Sequence, residues 1–257
     1  MPVKLSVVII TYNEERNIAR CLESVKRVAD EIVVVDSFSK DRTKEICLGY
    51  GARFIEHPFG GHIEQKNYAL TQATYNHVLS LDADETLTPE LEQAVLTAKN
   101  NWEADAYSMN RLTNYCGKWI HHSGWYPDTK VRLFDRTKAV WGGENPHDKI
   151  ILDKGASLQH LRGDLLHYSY YSVSQHLGQI NKFTDASSNA MIRGGKTVFL
   201  PMVIIKPLFR FFRAYVLKRG FLDGPEGFII SVSSAVSVYY KYVKLYMHNR
   251  QQKRDQK

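Results

Sequence analysis

His77-Val78-Leu79-Ser80-Leu81-Asp82-Ala83-Asp84-Glu85 is a short apolar run that ends abruptly in carboxylates. Two aspartates spaced i and i+2 at the mouth of a strand can offer oxygens to one divalent cation, which would in turn hold a diphosphate. Taken alone, an Asp-x-Asp pair reads as readily as a solvated turn. Its weight comes from two earlier strands that end in the same way.

Upstream, the β-branched run Leu5 to Ile10 leads into Thr11-Tyr12-Asn13, and Glu31 to Val35 leads into Asp36-Ser37. Between them a helix is expected from about Glu14 to Val28, with Asn13 or Thr11 as cap and Ile18, Cys21, Leu22 and Val25 on one face. Asp41 opens a second helix reaching about Tyr50, and Arg53 to Glu56 is a short third strand. Gly60-Gly61 then precedes a helix carrying Gln65, Lys66, Asn67, Ala69 and Leu70. Four strands alternating with helices predict an α/β fold, a doubly wound and mostly parallel sheet, because parallel neighbours need helical crossovers. Ligands of such sheets bind outside the carboxyl ends of the strands. The residues there form a polar, acidic rim suited to a ribose, a base edge and a metal.

Two other phosphate chemistries are excluded. The first βα turn, Thr11 to Glu15, has no glycine to let the backbone approach a dinucleotide pyrophosphate. Gly195-Lys196-Thr197 has Ala190 where the first glycine of a phosphate loop should stand, and no strand precedes it.

Beyond Asp84, Thr88-Pro89 starts a helix that runs to about Asn100. From about Ala104 to Leu158, alternating segments such as Ala106 to Met109 and Lys130 to Phe134 predict an antiparallel extension. It is crowded with Trp119, His121, His122, Trp125, Tyr126 and Trp141, which serve either as core or as platforms for a sugar. Trp141-Gly142-Gly143-Glu144-Asn145-Pro146-His147-Asp148 places three acid–base candidates, Glu144, His147 and Asp148, in one loop. His167 either completes the coordination of a metal or caps a strand.

The chain of 257 residues is long enough for one large α/β domain with an appendage. Cys21, Cys47 and Cys116 are far apart and in no C-x-x-C pair, which argues against a disulfide framework or a zinc knuckle and for a reducing, cytoplasmic setting. The brief apolar run at the N-terminus is too short for a signal-peptide core, and no run of apolar residues is long enough to span a bilayer. Of the net +7, residues 193–257 carry 13 Lys and Arg against 3 Asp and Glu, a local +10, which leaves −3 before them. Such a tail points to an anionic surface, and without a basic stripe in the first two thirds no nucleic-acid partner is expected. Two tail helices are expected, Leu208 to Arg219 and about Phe228 to Met247, with a turn over Gly220 to Gly227 between them and disorder from Arg250 to Lys257. Basic amphipathic helices of this kind either lie in a membrane interface or pack on the domain. The expected organisation is a domain over residues 1–192, with a nucleotide-sugar half at 1–103 and an acceptor half at 104–192, followed by a basic helical tail at 193–257.

The opening Ser6 to Glu15, the strand end Val35-Asp36-Ser37 followed by Asp41-Arg42-Thr43, the Gln65-Lys66-Asn67 helix and Leu81 to Glu85 together resemble the family 2 inverting glycosyltransferases of GT-A fold. The branch they are similar to is that of bacterial lipopolysaccharide-core β-glucosyltransferases; Trp141 to Asp148, His167-Tyr168 and Gly220 to Gly227 also look like it. The resemblance implies a nucleotide-diphosphate-sugar donor (a UDP-sugar, with glucose as the hexose), a divalent metal, Mg²⁺ or Mn²⁺, and single-step inversion. It implies that Thr11, Asn13 and Glu14 line the nucleotide, that Asp36 contacts the uracil, and that Lys66 faces the diphosphate side. Asp84, helped by Asp82 and with His167 as a further ligand, would hold the metal, and Asp82 would also serve the ribose. The branch commonly has a glutamate after a histidine as its base; here Asp148 follows His147, so Asp148 is the first candidate and Glu144 the substitute. The implied acceptor, a lipid-linked or lipopolysaccharide-core glycan, would put the enzyme at the inner face of the cytoplasmic membrane, anchored by its tail. A non-catalytic sugar-nucleotide-binding or scaffold protein and a nucleotidyltransferase are the alternatives. The first would be expected to lose the metal aspartates or the base loop, and the second would prefer a glycine-rich, basic first turn. The sequence leaves the oligomeric state open.

Overall fold

The computed structural model describes residues 2–144 and 147–255, with Glu144 and His147 described in their backbone alone. Strands β1 (Leu5–Thr11), β2 (Glu31–Asp36), β3 (Arg53–Glu56) and β4 (His77–Asp82) alternate with helices α1 (Ile18–Val25), α2 (Thr43–Gly49) and α3 (His62–Gln72). Then follow β5 (Glu85–Leu87), α4 (Pro89–Asn100), β6 (Ala106–Tyr115), β7 (Lys118–Ile120), β8 (Asp128–Asp135), β9 (Ala139–Glu144), β10 (His147–Leu152) and β11 (Leu158–Tyr170). Helices α5 (Val173–Arg193), α6 (Leu200–Phe212) and α7 (Gly224–Asp255) complete the described chain.

The main sheet has the order β3-β2-β1-β4-β8-β6-β11-β5, with β7 added to β6, while β9 and β10 form a separate antiparallel pair. β3, β2, β1 and β4 run parallel. β8 pairs antiparallel with β4 and with β6, which is the expected extension. The period of two explains how the parallel strands are covered on both faces. Leu5, Val7 and Ile9 of β1 share a core with α1, with Val34, Leu79 and Leu81, and with Leu91 and Val95 of α4. Val8 points the other way, into a core with Val33, Val35, Val78, Phe134, Ala69 and Leu70 of α3, and Trp141. The three cysteines are free thiols, Cys21 and Cys47 buried and Cys116 exposed.

By its contacts the chain divides into two compact units, Met1–Leu112 with Asp128–Tyr168, and Thr113–Pro127 with Ser169–Lys257. The second unit thus takes in the residues from Ser169 onward and the β7 segment, a different division from one at residue 193. Within it, Tyr115, Ile120 and Ile230 form a small core with Trp125 and Tyr170. Val198, Val203 and Leu245 form another with Met191, Ile192, Tyr242, Val243 and Tyr246, so that α5, α6 and α7 pack on one another. Lys244 of α7 fastens them, donating to Asp185 Oδ1 at 2.6 Å, Thr184 Oγ1 at 2.9 Å and Asn181 Oδ1 at 3.0 Å.

Several local expectations are corrected. α1 starts at Ile18 rather than near Glu14, and neither Asn13 nor Thr11 caps it. Asn13 has a positive φ of 55°, and its side-chain oxygen accepts from Lys40 N at 2.8 Å, so the turn is tied to the next strand end instead. β5 was too short to show a period, and α5 was missed because its buried positions, His176, Ile180, Thr184 and Ser188, are mostly polar. α6 begins a full two turns earlier than Leu208, with Pro207 inside it, and continues as a π-helical stretch over Arg213–Leu217. The expected turn after Arg219 is a 3-10 helix, Gly220–Asp223, and α7 starts at Gly224. α7 also runs on to Asp255 where disorder was expected; Gln251, Gln252, Lys253 and Arg254 are good helix formers, and the cations suit a helix C-terminus.

Gly163 in β11 has φ +90°, and a Cβ there would meet the backbone N of Leu91 at 2.4 Å. Because that obstacle is backbone and cannot swing aside, Gly163→Ala is expected to cost roughly 2–4 kcal/mol in urea unfolding. A loss within a few tenths of the wild-type value would show that β11 does not lie this close to α4.

Candidate active site

The carboxyl ends of β1 and β2 are clasped to each other by side chains. Asn13 N donates to Ser39 Oγ at 2.7 Å, and Ser39 N donates to Asp36 Oδ2 at 2.7 Å. Glu14 N donates to Thr43 Oγ1 at 2.8 Å and Glu15 N to Asp41 Oδ2 at 3.0 Å. The turn after β1 is therefore built from bonds to the β2 loop, which is why it does not join α1. Thr11 is buried beside it, and its hydroxyl has no hydrogen-bond partner among the described residues.

Each residue of Gln65-Lys66-Asn67 has a separate task. Gln65 Nε2 reaches Ser37 Oγ at 3.2 Å. Asn67 satisfies the backbone of Trp141 from both sides, donating to its carbonyl at 2.9 Å and accepting from its N–H at 3.0 Å, so β9 is held on α3. Between them Lys66, only 3% exposed, places Nζ 2.9 Å from Asp82 Oδ1 and 2.8 Å from Asp148 Oδ2. The Trp141 ring lies 4.3 Å from the same nitrogen, and its indole N–H donates to Ser80 Oγ at 3.3 Å.

Asp82 is also engaged from the other side. Arg132 Nη2 lies 3.1 Å from its Oδ2 and 2.7 Å from Glu85 Oε1, while Arg132 Nε donates to Glu85 Oε2 at 3.0 Å. Arg111 Nη1 adds a contact to Glu85 Oε1 at 3.3 Å and binds Asp128 Oδ2 through Nη2 at 2.7 Å. Burial works to raise the Asp82 carboxyl, but Lys66 and Arg132 outweigh it and hold Asp82 well below the usual carboxylate range. Arg132 is likewise lowered by burial and raised more by Glu85 and Asp82, so it stays charged.

Asp84 lies outside this network. β5 pairs with β11 so that His167 sits opposite Glu85, and Tyr168 N donates to the Asp84 carbonyl at 3.0 Å. His167 Nε2 thereby comes within 3.2 Å of Asp84 Oδ2. Burial pushes the Asp84 carboxyl up, and the neighbouring His167, by charge and hydrogen bond, brings it below its ordinary value. Arg20 of α1 stacks its guanidinium 3.4 Å from the Tyr168 ring centre. No group of three or more His, Cys, Asp or Glu that could hold a metal occurs among the described residues. A carboxylate and an imidazole side by side still suit a divalent cation of the kind that takes its remaining ligands from water and phosphate oxygens.

The structure therefore brings Lys66, Asp82 and Asp148 together, pairs Asp84 with His167, and gathers Thr11, Asn13, Glu14 and Asp36 at the ends of β1 and β2. The side chain of Glu144 lies outside the described residues. Of the aromatic residues, Trp141 is buried in the first unit and Trp125 packs on Tyr115, Tyr170 and His176 in the second. Sequence reasoning missed Arg132, Arg111 and the part played by Glu85. A signal was there, since Arg132 interrupts the apolar run Val131-Leu133-Phe134. A β-bulge lies at this point: Leu133 pairs with Tyr107 and Val131 with Ser108, leaving Arg132 as the extra residue.

The chain is that of a glycosyltransferase with the GT-A architecture. It belongs to glycosyl transferase family 2, whose profile matches residues 6–157. It is 29% identical over 252 residues to an uncharacterized glycosyltransferase of Rickettsia typhi, covering 94% of this chain and 86% of that one. It is 27% identical to the lipopolysaccharide core biosynthesis glycosyltransferase LpsC of Rhizobium meliloti, covering 95% and 93% respectively. Among solved structures, the mannosyltransferase PcManGT from Pyrobaculum calidifontis, in complex with GDP-Man and Mn²⁺, aligns with a TM-score of 0.56 at 15% identity over 95% of this chain and 87% of that one.

The site generates two predictions. Arg132→Met leaves the fully buried Glu85 without its main counter-charge and should cost about 3–5 kcal/mol, more than the double change with Glu85→Leu; a double-mutant cycle in urea measures it, and additive losses would deny the coupling. Burial, with the nearby Asp84, Asp41 and Asp82, raises Glu14 from 4.5 to about 7 against a hydrogen bond from Asn17. Between those values the folded protein holds a proton that the unfolded chain has released, so this group makes stability fall as pH rises from about 4.5 to 7. Glu14→Gln should flatten that part of the melting-temperature profile; an unchanged slope assigns it to other groups.

Proposed function

We propose that this glycosyltransferase moves a hexose, glucose from UDP-glucose, to a lipid-linked or lipopolysaccharide-core glycan in one inverting displacement. The observation that carries the reading is the Lys66 bridge, which joins a carboxylate at the end of β4 to one on β10. Asp148 is thereby a positioned carboxylate at the strand-end rim, as a base acting on an acceptor hydroxyl requires. In the proposed step Asp148 takes the hydroxyl proton while the acceptor oxygen bonds to the anomeric carbon and the bond to the diphosphate breaks on the opposite face. Glu144 is the second candidate for this base.

Asp84 and His167 are the proposed ligands of Mg²⁺ or Mn²⁺, with Asp82 held beside them by Lys66 and Arg132. The bound cation would neutralise charge on the departing diphosphate. Lys66 supplies a second positive charge from the protein itself. Thr11, Asn13 and Glu14 are assigned to the nucleotide and Asp36 to the base edge, and the unpartnered Thr11 hydroxyl supports a polar ligand there. A lipopolysaccharide-core relative that matches almost the whole length of the chain supports the acceptor class.

The enzyme is further proposed to work at the inner face of the cytoplasmic membrane. Among the described residues no helix is long and apolar enough to cross it. Ile205, Leu208, Phe209 and Phe212 of α6, spaced as one stripe, are 62%, 66%, 60% and 48% exposed. With the basic excess of residues 193–257, this stripe suits shallow insertion into an anionic leaflet.

Release of UDP from UDP-glucose in the presence of a lipid-extract acceptor tests the assignment. Asp84→Asn is expected to abolish turnover and metal-dependent donor binding with the fold intact, and Asp148→Asn to lower turnover by roughly two orders of magnitude with donor affinity kept. Wild-type turnover in Asp84→Asn sinks the metal assignment; a dead Glu144→Gln beside an active Asp148→Asn moves the base to Glu144. Donor binding without any UDP release across acceptors would favour a sugar-nucleotide-binding protein.

A further inference from the structure

The second unit contains a cavity of about 320 Å³ lined by Ser123, Gly124, Tyr126, Pro127, Arg210, Arg213, Ala214 and Lys218. Its walls are fixed to each other, since Ser123 N donates to the Lys218 carbonyl at 3.0 Å. Three cations converge on it, and no ion pair joins Arg210, Arg213 or Lys218 to an acid among the described residues. In the same unit Asp223 is already committed, accepting from His121 N at 3.2 Å, His122 N at 2.9 Å and His122 Nδ1 at 3.0 Å.

Packing two guanidinium groups together with no counter-charge is unfavourable; burial, then Arg213, lower the Arg210 guanidinium from its ordinary value. An anion in the cavity would reverse that cost, and a planar guanidinium fork fits phosphoryl oxygens well. The setting of the cavity selects among anions. Arg213 and Lys218 bracket Val216 and Leu217 of the π-helical stretch that follows α6, which are themselves 43% and 58% exposed. A phosphate bound here would have apolar side chains beside it on the same helix, which is the arrangement of a phospholipid at the surface of a bilayer.

We infer that this cavity is a binding site for the phosphoryl headgroup of an anionic membrane lipid, held by Arg210, Arg213 and Lys218, while exposed apolar side chains of the same helical segment enter the acyl boundary. The inference rests on the membrane reading above and adds a defined site to it. All of its residues belong to the second unit, whereas the candidate active site is built from the first.

The test uses the full chain and vesicles of phosphatidylcholine containing phosphatidylglycerol, with binding measured by flotation. Arg210→Gln with Arg213→Gln is compared with Lys253→Gln and Arg254→Gln, which removes the same charge from the far end of α7. The cavity pair is expected to weaken binding at least about tenfold more than the control pair, since general attraction gives each cation a similar share. Equal losses would overturn the site while leaving the membrane reading standing. Wild-type protein that ignores these vesicles at low salt would overturn both. If inorganic phosphate at constant ionic strength stabilises the wild type and not the cavity pair, while both bind vesicles equally, the anion is a free phosphate and the lipid assignment fails. Circular dichroism checks the fold; should the first pair not fold, Arg213→Gln with Lys218→Gln, on more exposed side chains, is read by the same criteria.

Discussion

Charge buried at the ends of the strands has to be paired, and that constraint organises the first unit. Glu85 is fully buried and Arg132 nearly so; either alone in that position would be costly to the fold. Their bidentate contact, extended through Asp82 to Lys66 and on to Asp148, links β4, β5, β8, α3 and β10 by one chain of ion pairs. Arg132 lies where the pairing of β8 with β6 carries a β-bulge.

The same network fixes the chemistry available at the rim. Asp82 pairs with two cations, Lys66 and Arg132, whereas Asp84, two residues on, pairs with the His167 imidazole. The two carboxylates of the Asp-x-Asp pair thus meet different neighbours, and those neighbours come from remote parts of the chain. The ends of β1 and β2 are organised differently, by backbone N–H groups that donate to the side chains of Ser39, Asp36, Thr43 and Asp41.

In the second unit the balance is reversed. Helices α5, α6 and α7 do pack on one another, which is the ordinary fate of amphipathic helices, yet α6 keeps an apolar stripe exposed, and Arg210, Arg213 and Lys218 line a cavity with no ion pair among the described residues. Both are unfavourable in water and both are relieved at an anionic lipid surface. Packing and membrane contact were alternatives when the helices were read as sequence; the structure shows packing on one side of α6 and leaves the other side free.

The sequence by itself determined the alternation of strands and helices in the first hundred residues, because buried parallel strands and one-sided helices write their periods directly: α3, α4 and β3 lie where the pattern puts them. It also singled out Asp82, Asp84, Asp148 and His167 as polar residues near the ends of apolar runs, and Lys66 through the family resemblance of its helix. What only the tertiary structure decided is which of these groups meet. His167 reaches Asp84 through the pairing of β11 with the three-residue β5, too short to show a period, and Lys66 reaches Asp148 across a gap in sequence that no local pattern spans. Arg132 joins them from β8, whose place between β4 and β6 is set by pairing with both. Local periodicity reports the environment of a single element, whereas pairing of charges depends on the register between elements, and register exists only once the chain has folded.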